Sequence, residues 1–368
     1  MKKLLFFAFL IPLVSLAFDA SGEYSFDYFY FFKINYFSAH TIIGTISNES
    51  DFVKFYCRFH GRFYNGDSKY VITYPGIDFS LLDFVPPAYI QMKNDVDISQ
   101  IYLSFYIASF NIKIGRTPLK WGISEIYSPS DIFTREIPFN VYSINTGIEA
   151  VIASYSMDNL TFSAVYQDES EYENTKQGVS AEYIFPCGAA KVSVAHLFIE
   201  QVNLLAADTI ENFMGSISFI SDYLKPGLWF ETVLFSDEKN KRLYITAGGD
   251  YTFFNRIYML TEGFVNFSGT DAPYSDLSHI NRLLNGNFII GKYYLFSNIL
   301  LNRGEKIEVS IISATNLDDL SSIAGFILNF VPKSYIDISL GAVGTTGDLR
   351  DEFFKMPFIS YFEIKYIF

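Results

Sequence analysis

The sequence has few of the residues that build disulfide frameworks, metal sites and catalytic pairs. Of 368 residues, two are cysteine and four are histidine. Secreted proteins held by disulfides carry several paired cysteines, so Cys57 and Cys187 predict two free thiols. The histidines show no zinc spacing, and no Ser or Cys nucleophile motif accompanies them. We expect no metal, no cofactor and no enzyme, although a catalytic pair assembled only by folding stays a minor alternative.

Long apolar runs and an excess of basic charge are missing as well. Beyond residue 17, no apolar run approaches the roughly 18 to 20 residues that a membrane-spanning helix needs. The formal net charge is −13, whereas nucleic-acid binding favours a basic face, so we expect no nucleic-acid partner. No linker rich in proline, glycine or serine divides the chain. The sequence thus disfavours a helical membrane protein and predicts one domain.

The N-terminal residues MKKLLFFAFLIPLVSLA have the order of a secretory signal peptide. Lys2 and Lys3 precede an apolar run, and the run ends in the small-x-small triplet Ser15-Leu16-Ala17. We therefore predict a signal peptide over residues 1–17 and an exported domain over residues 18–368.

Aromatic residues are abundant, with 39 Phe and 27 Tyr, and they recur in alternating segments along the chain. Most segments are about 9 to 13 residues long, the length that a tilted strand needs to cross a bilayer. In DFVKFYCRFHGRF, residues 51–63, apolar residues alternate with Lys54, Arg58 and Arg62. A basic residue that faces lipid near the midplane costs roughly 2 to 4 kcal/mol. The basic face is therefore predicted to line the interior, while the registers of His196 and Lys292 stay open.

Short and long connections alternate between these segments, as they do in bacterial outer-membrane barrels. We predict an all-β fold, a transmembrane antiparallel β-barrel of about 16 to 18 strands. The short links lie near Ser109, Asp158, Pro186, Asn255, Arg303 and Pro332. The longer stretches are 64–97, 117–145, 168–175, 200–210, 236–241, 269–286 and 345–354.

The chain ends on an apolar strand, ISYFEIKYIF, which a soluble protein would leave frayed. Phe362, Ile364, Tyr366 and Phe368 share one face at period two and are predicted to face lipid. An open strand edge is not tolerated in hydrocarbon, so this strand should pair with the first one and close the barrel. The expected partner of the exterior is outer-membrane lipid.

Charged residues on the inward face are the candidate lumen residues. A separation of signs would place a field across the pore and favour small polar or charged solutes. The alternative is a lumen whose charges only pair and hydrate. The positive candidates are Lys54, Arg58, Arg62 and Lys113; the negative candidates are Glu149, Glu182, Glu231, Asp250 and Glu262.

Two long stretches are candidates for a constriction or plug. Three prolines disfavour a central strand within 117–145, so this stretch either enters the barrel or packs over its rim. Stretch 64–97 is the second candidate, because its apolar content suggests packing. If 117–145 enters the barrel, the residues near the eyelet would be Lys120, Trp121, Glu125, Asp131 and Arg135.

Three stretches resemble a group of porin-like outer-membrane barrels. They are NIKIGRTPLKWGISEIYSPSDIF at 111–133, YITAGGDYTFFNRIYMLTEGFVNFSG at 244–269, and NLDD at 316–319. The resemblance implies an outer-membrane location and a barrel architecture, but no substrate. Relatives often carry Gln where Thr117 stands, so no role is carried to that position. The terminal aromatic strand also resembles the signal read by the barrel-assembly machinery, which is thus an expected partner.

The sequence predicts a passive channel for small polar or charged solutes, narrowed by an inserted loop. One alternative is a non-conducting barrel that acts as an adhesin or structural protein. Another is a transporter of hydrophobic substrates, since the aromatic load could line an apolar pocket. The solute, the ion preference and the oligomeric state, with a homo-oligomer among the alternatives, stay open.

Overall fold

The barrel predicted from the alternating pattern is present in the computed structural model of the chain. The structure describes residues 19–31, 35–66, 69–71, 89–91, 95–134, 147–167, 175–203, 206–221, 226–238, 240–271, 289, 291–347, 351–353 and 359–368. The predicted signal peptide, Arg135 and most of the stretch 64–97 that lies between strands fall outside these residues.

Eighteen strands form one antiparallel sheet, and two short strands pair separately. The separate pair is β4 and β5, which lie within the predicted stretch 64–97. The strands are β1 (Asp19–Phe31), β2 (Asn35–Glu49), β3 (Val53–Gly66), β4 (Lys69–Val71), β5 (Tyr89–Gln91), β6 (Asp95–Ile107), β7 (Phe110–Thr117), β8 (Ile148–Met157), β9 (Leu160–Gln167), β10 (Lys176–Phe185), β11 (Gly188–Asn203), β12 (Ala206–Ser221), β13 (Gly227–Ser236), β14 (Lys241–Phe253), β15 (Ile257–Asn266), β16 (Tyr293–Leu301), β17 (Ile307–Asn316), β18 (Ser322–Lys333), β19 (Ile336–Thr346) and β20 (Ile359–Ile367).

The last strand closes the barrel on the first. β20 pairs with β19 on one side and with β1 on the other, so the sheet has no free edge at its two ends. The backbone N–H of Gly22 donates to the Phe368 carbonyl at 2.8 Å, and the N–H of Phe368 donates back at 2.9 Å. The chain terminus is therefore ordered because its backbone groups are paired, as closure in lipid requires. The prediction of closure is confirmed, with 18 strands.

The connections define two ends of the barrel. The turn end carries the start of β1, the end of β20 and short links, such as 108–109, 158–159, 186–187 and 334–335; the loop end carries the longer connections. The expectation of a long loop at 200–210 is wrong. β11 continues to Asn203 and β12 begins at Ala206, and this hairpin extends beyond the neighbouring strands. The stretch lacks proline and glycine, so nothing in it prevents strand pairing.

The outward face is apolar and the inward face is largely polar. Phe59 and Phe63 are exposed on the outside, while Arg58 and Arg62 lie on the opposite face of β3. Around the turn end the exterior is aromatic; its exposed residues include Phe110, Phe162, Tyr183, Phe253, Tyr366 and Phe368. Such a band belongs at a bilayer interface. Both cysteines are free. Within the described ranges, no helix is long and apolar enough to span a membrane.

Candidate functional site in the barrel lumen

The segment after β7 folds into the barrel, and residues 118–134 are called the inserted segment below. Trp121, Ile132 and Phe133 are almost fully buried. They pack in one apolar cluster with inward residues of five wall strands: Ala150, Ile152, Val165, Ala195, Leu197, Met214, Val233 and Phe235. Irregular backbone is tolerated at membrane depth where it is buried in protein, and this segment has that environment.

Small inward residues on the wall make room for the inserted segment. Ser154, Ser163, Ser180, Ser193 and Ser216 stand directly opposite one another across β8 to β12. One row nearer the loop end, a Cβ placed on Gly178 would lie 3.2 Å from ring atoms of both Trp121 and Phe133. A larger side chain at Gly178 would therefore occupy space that Trp121 and Phe133 fill.

Lys191 and Asp131 hold the backbone of Trp121. The Lys191 ammonium donates to the Trp121 carbonyl and lies 4.6 Å from the centre of its ring. The Trp121 N–H donates to Asp131 Oδ1 at 3.2 Å. Phe133 packs edge-on against the indole at 5.1 Å, so Trp121 is held both by the wall and by the segment itself. Trp121 was expected near the eyelet, and it serves as the packing centre of the segment.

Glu231 on β13 binds three serine hydroxyls of the inserted segment. Ser124 and Ser128 donate to Glu231 Oε2 at 2.9 and 2.8 Å, and Ser130 donates to Oε1. The carboxylate is fully buried. A buried carboxylate is tolerated only when its oxygens are hydrogen-bonded, and here the segment supplies these donors.

Glu262 on β15 binds the backbone of the same segment. The N–H groups of Glu125 and Tyr127 donate to its two oxygens at 3.0 and 2.8 Å. The Trp229 Nε1–H donates to Oε2 at 2.8 Å, so wall and segment share one acceptor. Gly248 explains the GGD motif at this point, because a Cβ there would lie 2.5 Å from the Trp229 ring. Glu262 is also fully buried.

A third buried carboxylate, that of Glu352, lies at the loop end. Glu352 Oε2 accepts a hydrogen bond from Tyr294 and one of 2.7 Å from Asn316, and its backbone N–H donates to Asp319 Oδ2. The NLDD motif is thus a turn whose side chains hold the connection before β20. Apolar residues around it join the inserted segment, since Tyr127 packs edge-on against Phe264 at 4.9 Å.

The four predicted basic lumen residues all lie on the inward face of β3 and β7. Lys54 and Lys113 are both paired in register with Ser104 of β6. Lys54 forms a 2.7 Å ion pair with Glu49, and Arg62 donates to Thr41 at 3.2 Å. Within the described part of the chain, Arg58 Nε is buried and has no hydrogen-bond partner. Lys113 lies 5.8 Å from the centre of the Tyr102 ring.

The predicted acidic residues divide into three groups. Glu182 and Asp250 face inward and are partly exposed. Glu231 and Glu262 also face inward, yet they bind the inserted segment and do not contact the open lumen. Glu149 does not face inward: Ala150 and Ile152 take the inner face of β8, and Glu149 is exposed on the outer one. It is the second residue of β8, at the rim, where a charge facing outward costs little.

Two of the residues predicted near the eyelet, Lys120 and Glu125, lie on the surface of the inserted segment. Lys120 and Glu125 form an exposed ion pair of 3.2 Å with each other. Arg135 lies outside the described residues.

An acidic group on the wall was not among the predicted site residues. Glu23 and Asp27 on β1 face the same side as Asp337 on β19 and Glu363 on β20. Lys365 lies among them, 3.4 Å from Glu23 and 3.9 Å from Glu363. Alternation in the sequence indicated this inward face, but sequence position alone did not bring strands from the two ends of the chain together. In the described ranges, no group of three or more His, Cys, Asp or Glu residues could hold a metal ion.

Comparison with known proteins identifies the fold but not a family. No family model matches the sequence, and no curated protein matches it. Solved structures do match. Pseudomonas aeruginosa OccK5 (OpdH) has a TM-score of 0.59 at 8% identity, over 95% of this chain and 97% of its own. The chain has the fold of an outer-membrane β-barrel.

Two further Pseudomonas aeruginosa proteins support that statement. OccK3 (OpdO) has a TM-score of 0.57 at 13% identity and covers 99% of each chain. The outer membrane protein OpdK has a TM-score of 0.57 at 12% identity, over 95% of this chain and 99% of its own. Identities this low carry the fold alone. With the apolar exterior described above, this fold is that of a protein located in the outer membrane.

Proposed function

We propose that the protein is a porin-like channel through which small polar or charged solutes diffuse passively. The observation that carries this proposal is the partial exposure of charged side chains inside the barrel. The side chains of Lys54, Glu363 and Lys365 keep 29%, 25% and 28% of their surface exposed. Isolated charges in a dry core would cost several kcal/mol each, so their exposure supports a hydrated lumen.

The inserted segment would narrow this lumen from one side. Its buried contacts are with β8 to β18, where Glu231 and Glu262 hold it. The basic residues of β3 and β7 and the acidic group of β19, β20 and β1 lie on other wall strands. Solutes would therefore pass between the inserted segment and a wall that carries both signs of charge, and the field of this wall would select among them.

Conductance in a planar bilayer tests the channel. We expect open-channel currents from the purified protein, and a shift of the reversal potential toward cation preference in Arg58→Glu under a salt gradient. Arg256→Glu is the matched control, because Arg256 is exposed in a turn between β14 and β15. A folded barrel that never conducts would refute the channel and favour an adhesin or structural role.

Uptake into liposomes tests the solute class. One solved structure is OpdK with vanillate, an aromatic carboxylate. On this chain, the Lys113 ammonium lies near the ring of Tyr102, which stacks on Tyr56. Vanillate and a neutral sugar of similar size are therefore informative solutes. Swelling with either supports a polar channel, whereas uptake restricted to hydrophobic compounds would favour the transporter of hydrophobic substrates.

A further inference from the structure

The lipid-facing surface of β8 to β13 carries a groove. Its floor consists of small residues, among them Ala153, Ala164 and Gly215, and its sides include Val179 and Val194. The groove has a volume of about 700 Å³, and a neighbouring depression of about 500 Å³ continues it toward the turn end. Exposed aromatic residues bound it, with Phe162 on the turn side and Phe213 on the loop side. The groove and this depression therefore form one elongated apolar groove on the outside of the barrel.

The loop end of the groove is closed by polar side chains on the same outward face. His196 Nε2 lies 2.7 Å from Glu211 Oε1, and His196 Nδ1 lies 3.1 Å from the Gln177 amide nitrogen. The imidazole is fixed from both sides, since it stacks on Phe213 at 4.8 Å and meets Phe198 edge-on at 4.9 Å. The network therefore presents polar groups at one end of an otherwise apolar groove.

The network lies at the level of lipid headgroups. Gln177 is the second residue of β10, and Phe213 pairs with Ser236, the last residue of β13. The row that contains His196 is thus near the rim of the barrel, where longer loops begin. In barrels of this type, the longer loops mark the outer surface of the membrane.

The network offers acceptors to a ligand. A proton on His196 Nε2 lets the imidazole donate to Glu211 and accept from the Gln177 amide. Within the described residues, Glu211 Oε2 and Gln177 Oε1 then have no donor. Glu211 is also exposed. Two free acceptors, one of them anionic, complement a headgroup that carries N–H donors and positive charge.

We propose that this groove binds a phospholipid, with an acyl chain along the small residues and an ammonium-bearing headgroup at Glu211 and Gln177, at the loop end. A matched pair of probes isolates the headgroup. Phosphatidylethanolamine has N–H donors, whereas phosphatidylcholine with identical chains has the same net charge and none.

Native mass spectrometry of the purified full chain, incubated with an equal mixture of the two lipids, tests the proposal. We expect the protein to retain phosphatidylethanolamine several-fold over phosphatidylcholine. Glu211→Gln should abolish this preference, and Ala164→Phe, which fills the groove, should reduce retention of both lipids several-fold.

Two variants control for charge and bulk. Glu238→Gln removes an exposed carboxylate from the link after β13, and Ala324→Phe adds the same bulk to the outward face of β18. Both should behave as the unmodified protein. A difference in gel mobility between unheated and heated samples would show that each variant is folded, and conductance should be unchanged in all of them.

Two results would overturn the proposal. One is equal retention of the two lipids by the unmodified protein. The other is an Ala164→Phe variant that keeps its lipids but changes oligomeric state by sedimentation, because the groove would then be covered by a second copy of the chain. Neither result would affect the proposed channel activity, which is measured independently as current.

Discussion

Trp229 and Glu262 are joined by a 2.8 Å hydrogen bond from the indole N–H to the carboxylate. The same carboxylate accepts from the backbone of the inserted segment at Glu125 and Tyr127. One buried side chain therefore links the barrel wall to the segment that enters the lumen. This relationship makes the position of the segment testable through single substitutions.

Glu262→Gln should release the inserted segment. In this variant, the side-chain amide nitrogen faces at least one of the N–H groups that now donate to the Glu262 carboxylate. Each buried donor left without an acceptor costs about 1 to 3 kcal/mol. We expect faster proteolytic cleavage within residues 118–134 and larger or noisier channel currents. Asp250→Asn is the control, because Asp250 faces inward but is partly exposed. Equal cleavage of the two variants would contradict the anchoring role.

Ser128 and Glu231 should be energetically coupled. Their 2.8 Å hydrogen bond is charge-assisted and partly buried, so a double-mutant cycle of Ser128→Ala and Glu231→Gln should give about 1 to 2 kcal/mol. Unfolding by urea in lipid vesicles measures each free energy. Ser154→Ala provides the control, since Ser154 bonds to Ser163 on another part of the wall. Additive effects for Ser128 and Glu231 would show that their contact contributes nothing.

Gly248→Ala should destabilise the wall. The added Cβ would lie 2.5 Å from the Trp229 ring, so the ring must move and its bond to Glu262 must lengthen. We expect a loss of about 1 to 3 kcal/mol in the free energy of unfolding, as for other overpacked sites. Gly215→Ala should have little effect, because a Cβ at Gly215, on the outer face, would meet no atom within 4 Å. Similar stabilities for both variants would refute the packing argument.

Deletion of Phe368 should reduce assembly of the barrel. The residue donates and accepts one backbone hydrogen bond with Gly22, at 2.9 and 2.8 Å, and its ring stacks on Tyr366. We expect less folded protein in outer-membrane fractions, whereas Phe368→Tyr should assemble normally because it keeps both backbone bonds and the ring. Normal yields of the deletion variant would show that closure does not depend on the last residue.

Much of the fold could be predicted because a two-residue period is a local property. On β3 the alternation of Phe59 and Phe63 with Arg58 and Arg62 distinguishes the lipid face from the interior, and the structure agrees. The penalty for a basic residue in hydrocarbon determines the register there. The same reasoning failed at Glu149, because a charge at the rim lies where that penalty is small and either face is tolerated.

The sequence by itself determined the strands, the face that each side chain takes, and the need for closure, since these follow from local alternation and from unpaired backbone in lipid. Only the tertiary structure decided what covers each inward residue. Ser124 and Glu231 are 107 residues apart and meet because the inserted segment enters the barrel. Alternation gives Glu182 and Glu262 the same inward face, yet one is partly exposed and the other fully buried. Burial depends on contacts between distant segments, and no local pattern encodes them.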